Sequence, residues 1–186
     1  PMFEQYMQVK SEHPDALPLL QHTLHSLYES SSGNRMLTFA AYRAIGGLEG
    51  AIAHRAEQVF GQLTQATQES LGSVLSQLIE AQADQDIISA RRSPFALLRD
   101  EHARTLVDAF IDARLFVGGD HGGQRSFGVI HEALLRQWPR ARDWAQDNRR
   151  LLQARTRLRA SAKRWHDEGR QHDHLLNPGR PLAEAL

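Results

Sequence analysis

Apolar residues recur every three or four positions along most of this 186-residue chain, which is the spacing of amphipathic helices. The pattern changes around the glycine-rich string 118–123, which has runs of β-branched and aromatic residues on both sides. Two such runs around a glycine turn predict a β-hairpin. We therefore expect a mainly α fold with a small amount of β structure.

Short helices are predicted up to about residue 82. Residues 15–29 place leucines at helical spacing, with Pro18 in the first turn. Thr38 is the predicted cap of a second helix, which ends at Gly46-Gly47. Two further apolar faces follow, Leu48, Ile52, Val59, Phe60 and Leu63, and then Leu71, Val74, Leu75, Leu78 and Ile79.

The next part of the chain has the element order of a winged helix. Residues 87–89 are a short β-like run, and Ser93 followed by Pro94 predicts the cap and first turn of a brief helix. Asp100 is the predicted cap of a longer helix, and the hairpin comes after it. Helix, short strand, helix, helix and hairpin is the order of a winged helix, a helix-turn-helix variant with a β wing.

We expect three parts in the chain. Residues 1–64 are predicted as a helical subdomain, and residues 65–138 as the winged helix, whose wing is the hairpin. Pro139 then interrupts the chain, and a long arginine-rich helix is predicted from about residue 140 to residue 168. Residues 139–186 are therefore predicted as a helical extension.

Some functions are excluded by the residue types that the chain lacks. It has no cysteine, which excludes a disulfide scaffold, a thiol nucleophile and a cysteine-ligated metal centre. Its lysines are Lys10 and Lys163, and neither follows a glycine, so the phosphate-binding loop G-x-x-x-x-G-K-[ST] is missing. We therefore expect that the chain is not an enzyme by itself.

The balance of charges argues against polyanionic partners. Twenty-two basic residues match twenty-two acidic ones, so there is no net field to hold a nucleic acid or an anionic membrane. No apolar run approaches the roughly 18 residues of a membrane-spanning helix. We expect neither a nucleic-acid partner nor a membrane partner.

Two residues are candidates for contact with a ligand. His131 lies where the predicted hairpin gives way to a helix, and helix N-termini attract anions through unpaired N–H groups. Its imidazole can add a hydrogen bond to a phosphate oxygen, or it can serve only the local structure by capping the turn. Pro18 can present a rigid face to a planar base, or it can be an ordinary first-turn proline.

The strings around these residues resemble motifs of the STAND NTPases, signal-transducing ATPases with numerous domains. Residues 16–20 (Ala-Leu-Pro-Leu-Leu) resemble the G-x-P motif that opens a helix of the family's helical domain. Residues 130–136 (Ile-His-Glu-Ala-Leu-Leu-Arg) resemble its hydrophobic–His–Asp motif at the end of the winged helix. The bacterial nSTAND1-like branch, often fused to WD40 repeats, is still more similar over residues 15–186, most specifically in His131–Pro139.

The resemblance implies a nucleotide-dependent switch. In the family the proline contacts adenine and the histidine contacts the β-phosphate of ADP, so it implies that Pro18 and His131 sense the nucleotide. The chain departs from the family pattern at Ala16, where the glycine is expected, and at Glu132, where the aspartate is expected. The P-loop, the magnesium-binding acid and the arginine sensor would lie upstream, in a parent ATPase that binds ADP or ATP with Mg²⁺.

A chain of this kind would be a regulatory, non-catalytic fragment with no cofactor of its own. The helix-forming run 181–186 has no stop signal, so we expect a piece of a longer cytoplasmic protein. Its expected partners are an upstream nucleotide-binding domain and a downstream repeat domain of the same chain. Exchange of ADP for ATP would open the domains and permit homo-oligomerisation.

Two other functions follow from the residues alone. A winged helix can bind DNA through the helix at about residues 100–113, but the four carboxylates there would face phosphates of the same sign. Residues 166–168 (His-Asp-Glu) and 172–174 (His-Asp-His) include metal-ligating types, but the nearby glycine and proline indicate an exposed helix end. We expect no metal site, and DNA binding is the alternative function.

Overall fold

The computed structural model describes residues 38–44, 46–81, 88–121 and 123–170, together with six helical residues between positions 20 and 28. In this part of the chain the protein is mainly helical and has two small antiparallel sheets, as the apolar spacing predicts. The order of the elements also matches the predicted sequence of short helices, a hairpin and further helices.

The helices are α1 (Phe39–Ala44), α2 (Gly47–Gly61), α3 (Gln65–Glu69), α4 (Leu71–Leu78), α5 (Glu101–Asp112), α6 (Ala133–Gln137), α7 (Pro139–Asp147) and α8 (Arg149–Asp167). The strands are β1 (Ile79–Ala81), β2 (Ile88–Ala90), β3 (Ser93–Pro94), β4 (Phe116–His121) and β5 (Gln124–Val129), and a 3-10 turn spans Phe95–Leu97. β1 pairs with β2, and the second sheet has the order β3-β5-β4.

Side-chain caps start the helices where the sequence predicts them. The Thr38 hydroxyl accepts the N–H of Ala41 over 3.1 Å at the start of α1. The Asp100 carboxylate accepts the N–H of His102 over 3.1 Å at the start of α5. Both predicted caps are confirmed, because each satisfies an N–H group that the first helical turn leaves unpaired.

The hairpin is confirmed, but its turn is shorter than predicted. Pairing runs from Phe116 and Val129 to His121 and Gln124, so the connection is only residues 122–123. The prediction that residues 118–121 belong to the turn is wrong. Gly118 lies within β4. A glycine suits this position because α5 packs closely there, and a Cβ atom would approach Cδ1 of Ile111 to 3.3 Å.

Three other local predictions are wrong. Residues 79–81 extend the apolar pattern of α4 but form strand β1, which pairs with β2. Ser93 and Pro94 form strand β3 against β5, with Pro94 in an extended conformation (ψ 137°), so they are not the cap and first turn of the predicted brief helix. That helix is present as a single 3-10 turn over Phe95–Leu97. The long helix predicted over 140–168 is broken at Asn148, whose side chain donates to the carbonyl of Trp144 over 2.9 Å.

A continuous apolar core runs through the described residues. Trp138 lies at its centre and is fully buried, with ring centroids 5.6 Å from Phe60 and 5.5 Å from Phe110. The same core takes in Ile52 and Leu152, so all three predicted parts of the chain contribute to it. The boundaries after residues 64 and 138 stay predictions.

A charged contact fixes α2 against the end of α6 and the start of α7. The Glu57 carboxylate accepts the indole N–H of Trp138 over 2.9 Å and receives Arg140 through two of its nitrogens, at 2.8 and 3.0 Å. Arg140 also lies over the ring of Phe60, 4.6 Å from its centroid. This contact holds α2 in place beside the site described next.

Candidate functional site

His131 lies between the hairpin and α6, as predicted. The chain leaves β5 at Val129, and the N–H of Ile130 donates to the carbonyl of Leu115 over 2.9 Å, which ties this junction to the start of the hairpin. His131 is only 6% exposed, and α6 begins two residues later at Ala133. The junction therefore holds the imidazole in a fixed position against the core.

The His131 ring has a defined local contact. Its Nδ1 atom accepts the backbone N–H of Ala133 over 3.0 Å, so the ring caps the start of α6. An atom that accepts from an N–H group carries no proton, and the neutral imidazole therefore has its proton on Nε2. The capping role that the sequence leaves open is present, and it makes Nε2 the hydrogen-bond donor of the neutral ring.

Glu132 has a contact of its own. Its Oε1 atom accepts the backbone N–H of Ala90 over 3.2 Å, which joins the start of α6 to strand β2. The longer acidic side chain at this position thus bonds to the neighbouring sheet. The sequence places Glu132 beside His131, but it does not show that the two side chains have different partners.

A cleft of about 620 Å³ lies next to this junction. Ile130 lines it, and so do Gln21 and Leu24 of the helical segment that follows Pro18 in the sequence. Pro18 itself lies outside the described residues. The structure therefore brings the segment after one motif and the residue before His131 to the same cleft.

Two arginines in this cleft were not found from the sequence. Arg55 of α2 and Arg114 after α5 both line it, and Asp112 lines it as well. Arg114 has a φ of 58°, in the left-handed region that favours glycine, and its N–H donates to the carbonyl of Ile111 over 2.9 Å. Arg114 belongs to the string 112–115 (Asp-Ala-Arg-Leu), which is also similar to the family, but only the folded chain shows that Arg114 and Arg55 line one cleft.

The two alternative functions gain nothing from the geometry. The exposed charged residues of α5 include Glu101 and Asp108, which have the same sign of charge as phosphate, and Arg104, so the exposed surface of this helix has no excess of positive charge. No group of metal-ligating residues occurs among the described positions, which include 166–168, while 172–174 lies outside them. Over the same positions, every helix is too short or too polar to cross a bilayer.

A comparison with protein families settles the relationship that the motifs suggest. The model of the family nSTAND1, "Novel STAND NTPase 1", matches residues 1–173. The chain belongs to the nSTAND1 family. The matched region contains both motif regions, so the predicted STAND NTPase relationship of residues 15–173 is confirmed. No curated protein and no solved structure is significantly similar to this nSTAND1 chain.

Proposed function

We propose that this nSTAND1 chain is a regulatory module that couples the ADP or ATP state of a parent ATPase to domain opening and oligomeric signalling. In this proposal residues 1–64 are the helical subdomain, residues 65–138 are a winged helix with β4 and β5 as its wing, and residues 139–186 lead towards a downstream domain. The observation that carries it is the shared cleft, which Ile130 and the segment after Pro18 line together.

The cleft has the chemistry that a nucleoside diphosphate needs. Ile111, Phe116 and Ile130 give it apolar walls, and the guanidinium groups of Arg55 and Arg114 provide donors for phosphate oxygens. Asp112 lines the same cleft, so its carboxylate offsets part of the positive charge that the two arginines bring. The P-loop and the acid that binds Mg²⁺ are expected in the upstream domain of the parent protein, so this chain is not expected to hydrolyse ATP.

His131 supplies the sensing contact in this proposal. Because Nδ1 accepts the N–H of Ala133, the proton of the neutral ring is on Nε2. The ring is 6% exposed and is not among the residues that line the cleft, so in this proposal the junction must shift before Nε2 can donate to a phosphate oxygen of ADP. A ligand shifts a conformational equilibrium only by its different affinity for the two states. One charge-assisted hydrogen bond contributes about 1.5–3 kcal/mol, which biases the closed state roughly tenfold to hundredfold.

The rest of the proposal concerns the parent protein. We expect it to be cytoplasmic, with a nucleotide-binding domain before this chain and WD40-type repeats after it. Pro18 would contact the adenine. With ADP bound the domains stay closed, and exchange for ATP releases the winged helix so that copies of the parent assemble.

The test separates the sensing role of His131 from its capping role, in the full-length parent protein. His131→Asn keeps an acceptor that can reach the N–H of Ala133 but removes the distal Nε2 donor, whereas His131→Ala removes both. His54→Asn is the control, because His54 is an exposed histidine on α2. The measurements are the rate of ADP release and the oligomeric state without stimulus.

We expect His131→Asn and His131→Ala to speed ADP release about tenfold or more and to raise basal assembly, with His54→Asn unchanged. If His131→Asn releases ADP and assembles like the wild type, the distal nitrogen does not sense the nucleotide. A change seen only in His131→Ala assigns His131 to the local structure, and the proposal then fails for this residue.

A further inference from the structure

Three arginines converge beside the first sheet, where α8 covers it. Arg155 and Arg159 lie one helical turn apart on α8, which packs against β1. Arg91 directly follows β2, and its backbone N–H donates to the carbonyl of Leu78 at the end of α4 over 2.8 Å. All three side chains are half-buried. We call this set, Arg91, Arg155 and Arg159, the arginine cluster.

The described residues leave most of this positive charge without a matching anion. Arg155 donates to the carbonyl of Ser76 and, over 3.1 Å, to Oε1 of Gln77, and both of these acceptors are neutral. Nη1 of Arg91 is buried and, within the described part of the chain, has no hydrogen-bond partner. A buried donor without a partner is uncommon, because it loses its bonds to water and gains none in return.

The three guanidinium groups are close enough to repel one another. Burial lowers the pKa of Arg155, and repulsion from Arg91 lowers it further. Burial also lowers the pKa of Arg159 to about 10, with repulsion from Arg155 and Arg91 adding to the effect. Glu80 on β1 opposes both shifts, yet no ion pair joins it to the cluster among the described residues.

With a pKa of about 10, Arg159 stays charged at neutral pH. Among the described residues, Glu80 is the one carboxylate that acts on the charges of Arg155 and Arg159, against three guanidinium groups. The carboxylate of Glu132 accepts the N–H of Ala90, and no ion pair joins it to the cluster among the described residues. The excess of two positive charges matches a phosphate group, which carries about −1.5 to −2 at pH 7. The planar forks of arginine suit phosphate oxygens, which they can bind through two parallel hydrogen bonds.

We propose that the arginine cluster is a binding site for a dianionic phosphoryl group. Nη1 of Arg91 supplies the buried donor, Arg159 supplies a second charge, and Arg155 is held in place by the end of α4. The cluster shares no residue with the cleft beside Ile130, so this site does not depend on the proposed nucleotide switch.

The test is titration of the 186-residue chain with inorganic phosphate at about pH 8, where the group is dianionic. Binding is followed by calorimetry and by the thermal unfolding midpoint, with ionic strength held constant by chloride. Arg91→Gln and Arg159→Gln remove one charge each from the cluster, and Glu80→Gln removes its carboxylate. The matched control is Arg150→Gln, because Arg150 is an exposed arginine on the same helix.

We expect Arg91→Gln and Arg159→Gln to weaken phosphate binding about tenfold or more each, and Arg150→Gln to leave it unchanged. Glu80→Gln is expected to tighten binding several-fold, so the proposal stays testable if an arginine variant fails to fold. ADP and adenosine are compared as well. If ADP binds more tightly than phosphate and Arg91→Gln abolishes the difference, the source is a nucleotide, and equal binding identifies free phosphate. An ADP affinity that Arg91→Gln leaves unchanged belongs to the cleft beside Ile130 and not to the cluster.

Three results would overturn the proposal. The first is a response to phosphate no larger than the response to chloride, and the second is an equal loss of binding in Arg150→Gln. The third concerns thermal unfolding without phosphate. The proposal expects the midpoint of Arg159→Gln to be at or above that of the wild type, because the substitution relieves repulsion between the arginines. A lower midpoint combined with unchanged phosphate affinity would show that the arginines have only a structural role.

Discussion

Replacing Glu57 with alanine is expected to lower the free energy of unfolding by about 1–4 kcal/mol. Most of this loss comes from Trp138, which is fully buried and donates its indole N–H to the Glu57 carboxylate over 2.9 Å. A buried donor left without a partner costs about 1–3 kcal/mol. The ion pair with Arg140 adds only about 0.2–1 kcal/mol, because its two side chains are 50% and 48% exposed.

Denaturant unfolding of the 186-residue chain, followed by circular dichroism, measures this loss. Asp143→Ala is the control, since Asp143 pairs with Arg142 over 2.9 Å on the surface and accepts from no buried indole among the described residues. We expect this control to lose at most about 1 kcal/mol. In a Trp138→Phe background the loss from Glu57→Ala should shrink by about 1 kcal/mol or more, because the stranded donor is gone. Equal losses in both backgrounds would refute the reasoning.

The same contact has a predicted pH dependence. The hydrogen bond from Arg140 lowers the pKa of Glu57 below its ordinary value of 4.5, and the bond from Trp138 lowers it further, against the opposing effect of burial. A lowered pKa in the folded state gives stability that is present above the ordinary pKa and is lost as the pH falls through the folded-state value. The difference between wild type and Glu57→Ala should therefore be constant near neutral pH and shrink below about pH 4.5. A difference that grows in acid would contradict this sign.

Three further changes test the packing by thermal or denaturant unfolding. Gly72→Ala should lower the free energy of unfolding by about 1–3 kcal/mol, because the new Cβ atom would lie 2.9 Å from Nε1 of Trp144. Gly61→Ala is the control: the space around Gly61 is open, so this variant should have an unchanged free energy of unfolding or gain up to about 1 kcal/mol. Asp100→Ala should lose about 0.5–2 kcal/mol, since it removes the cap of α5, and a loss below that range would mean that the cap is replaced. Phe110→Ala should lose about 3–5 kcal/mol, because its ring is fully buried between Phe116 and Trp138, and a smaller loss would show that the core can collapse around the cavity.

Helices with side-chain caps could be predicted from the sequence, because their signals are local. Thr38 and Asp100 each accept an N–H group within three residues, so the pattern that predicts the cap contains both partners. The hairpin could be predicted for the same reason, since its strands are separated only by residues 122–123. In both cases the interacting residues lie close together in the sequence, so a short stretch of the chain contains everything that the prediction needs.

The short strands could not be predicted, because they depend on distant partners. Ile79 continues the apolar spacing of α4 and becomes a strand residue only because it pairs with Ala90. Ser93 and Pro94 have the residue types of a helix start, but Ser93 pairs with Phe127 of the hairpin. Tertiary pairing overrides the local preference in both places.

In the candidate site, too, the residues with local signals could be predicted and those brought together by tertiary packing could not. The position of His131 between a strand and a helix could be predicted, because both elements have strong local patterns. That Arg55 and Arg114 line a cleft with Ile130 depends on the packing of α2 against α5 and α6. The arginine cluster depends likewise on the packing of α8 against β1, which brings Arg91 and Arg155 together from distant parts of the chain.

The capping role of His131 and its proposed sensing role are compatible in this geometry. A backbone N–H group always donates, so the contact with Ala133 keeps Nδ1 unprotonated in the neutral ring and leaves the proton on Nε2. The same contact fixes the direction of the imidazole, which reduces the entropy that the ring would lose on binding a phosphate oxygen. A histidine with a free ring would have to select both the tautomer and the rotamer when the ligand binds. In the proposed switch the cap therefore also orients Nε2 as a donor. Only a change that separates the two nitrogens, such as His131→Asn, can distinguish capping alone from capping together with sensing.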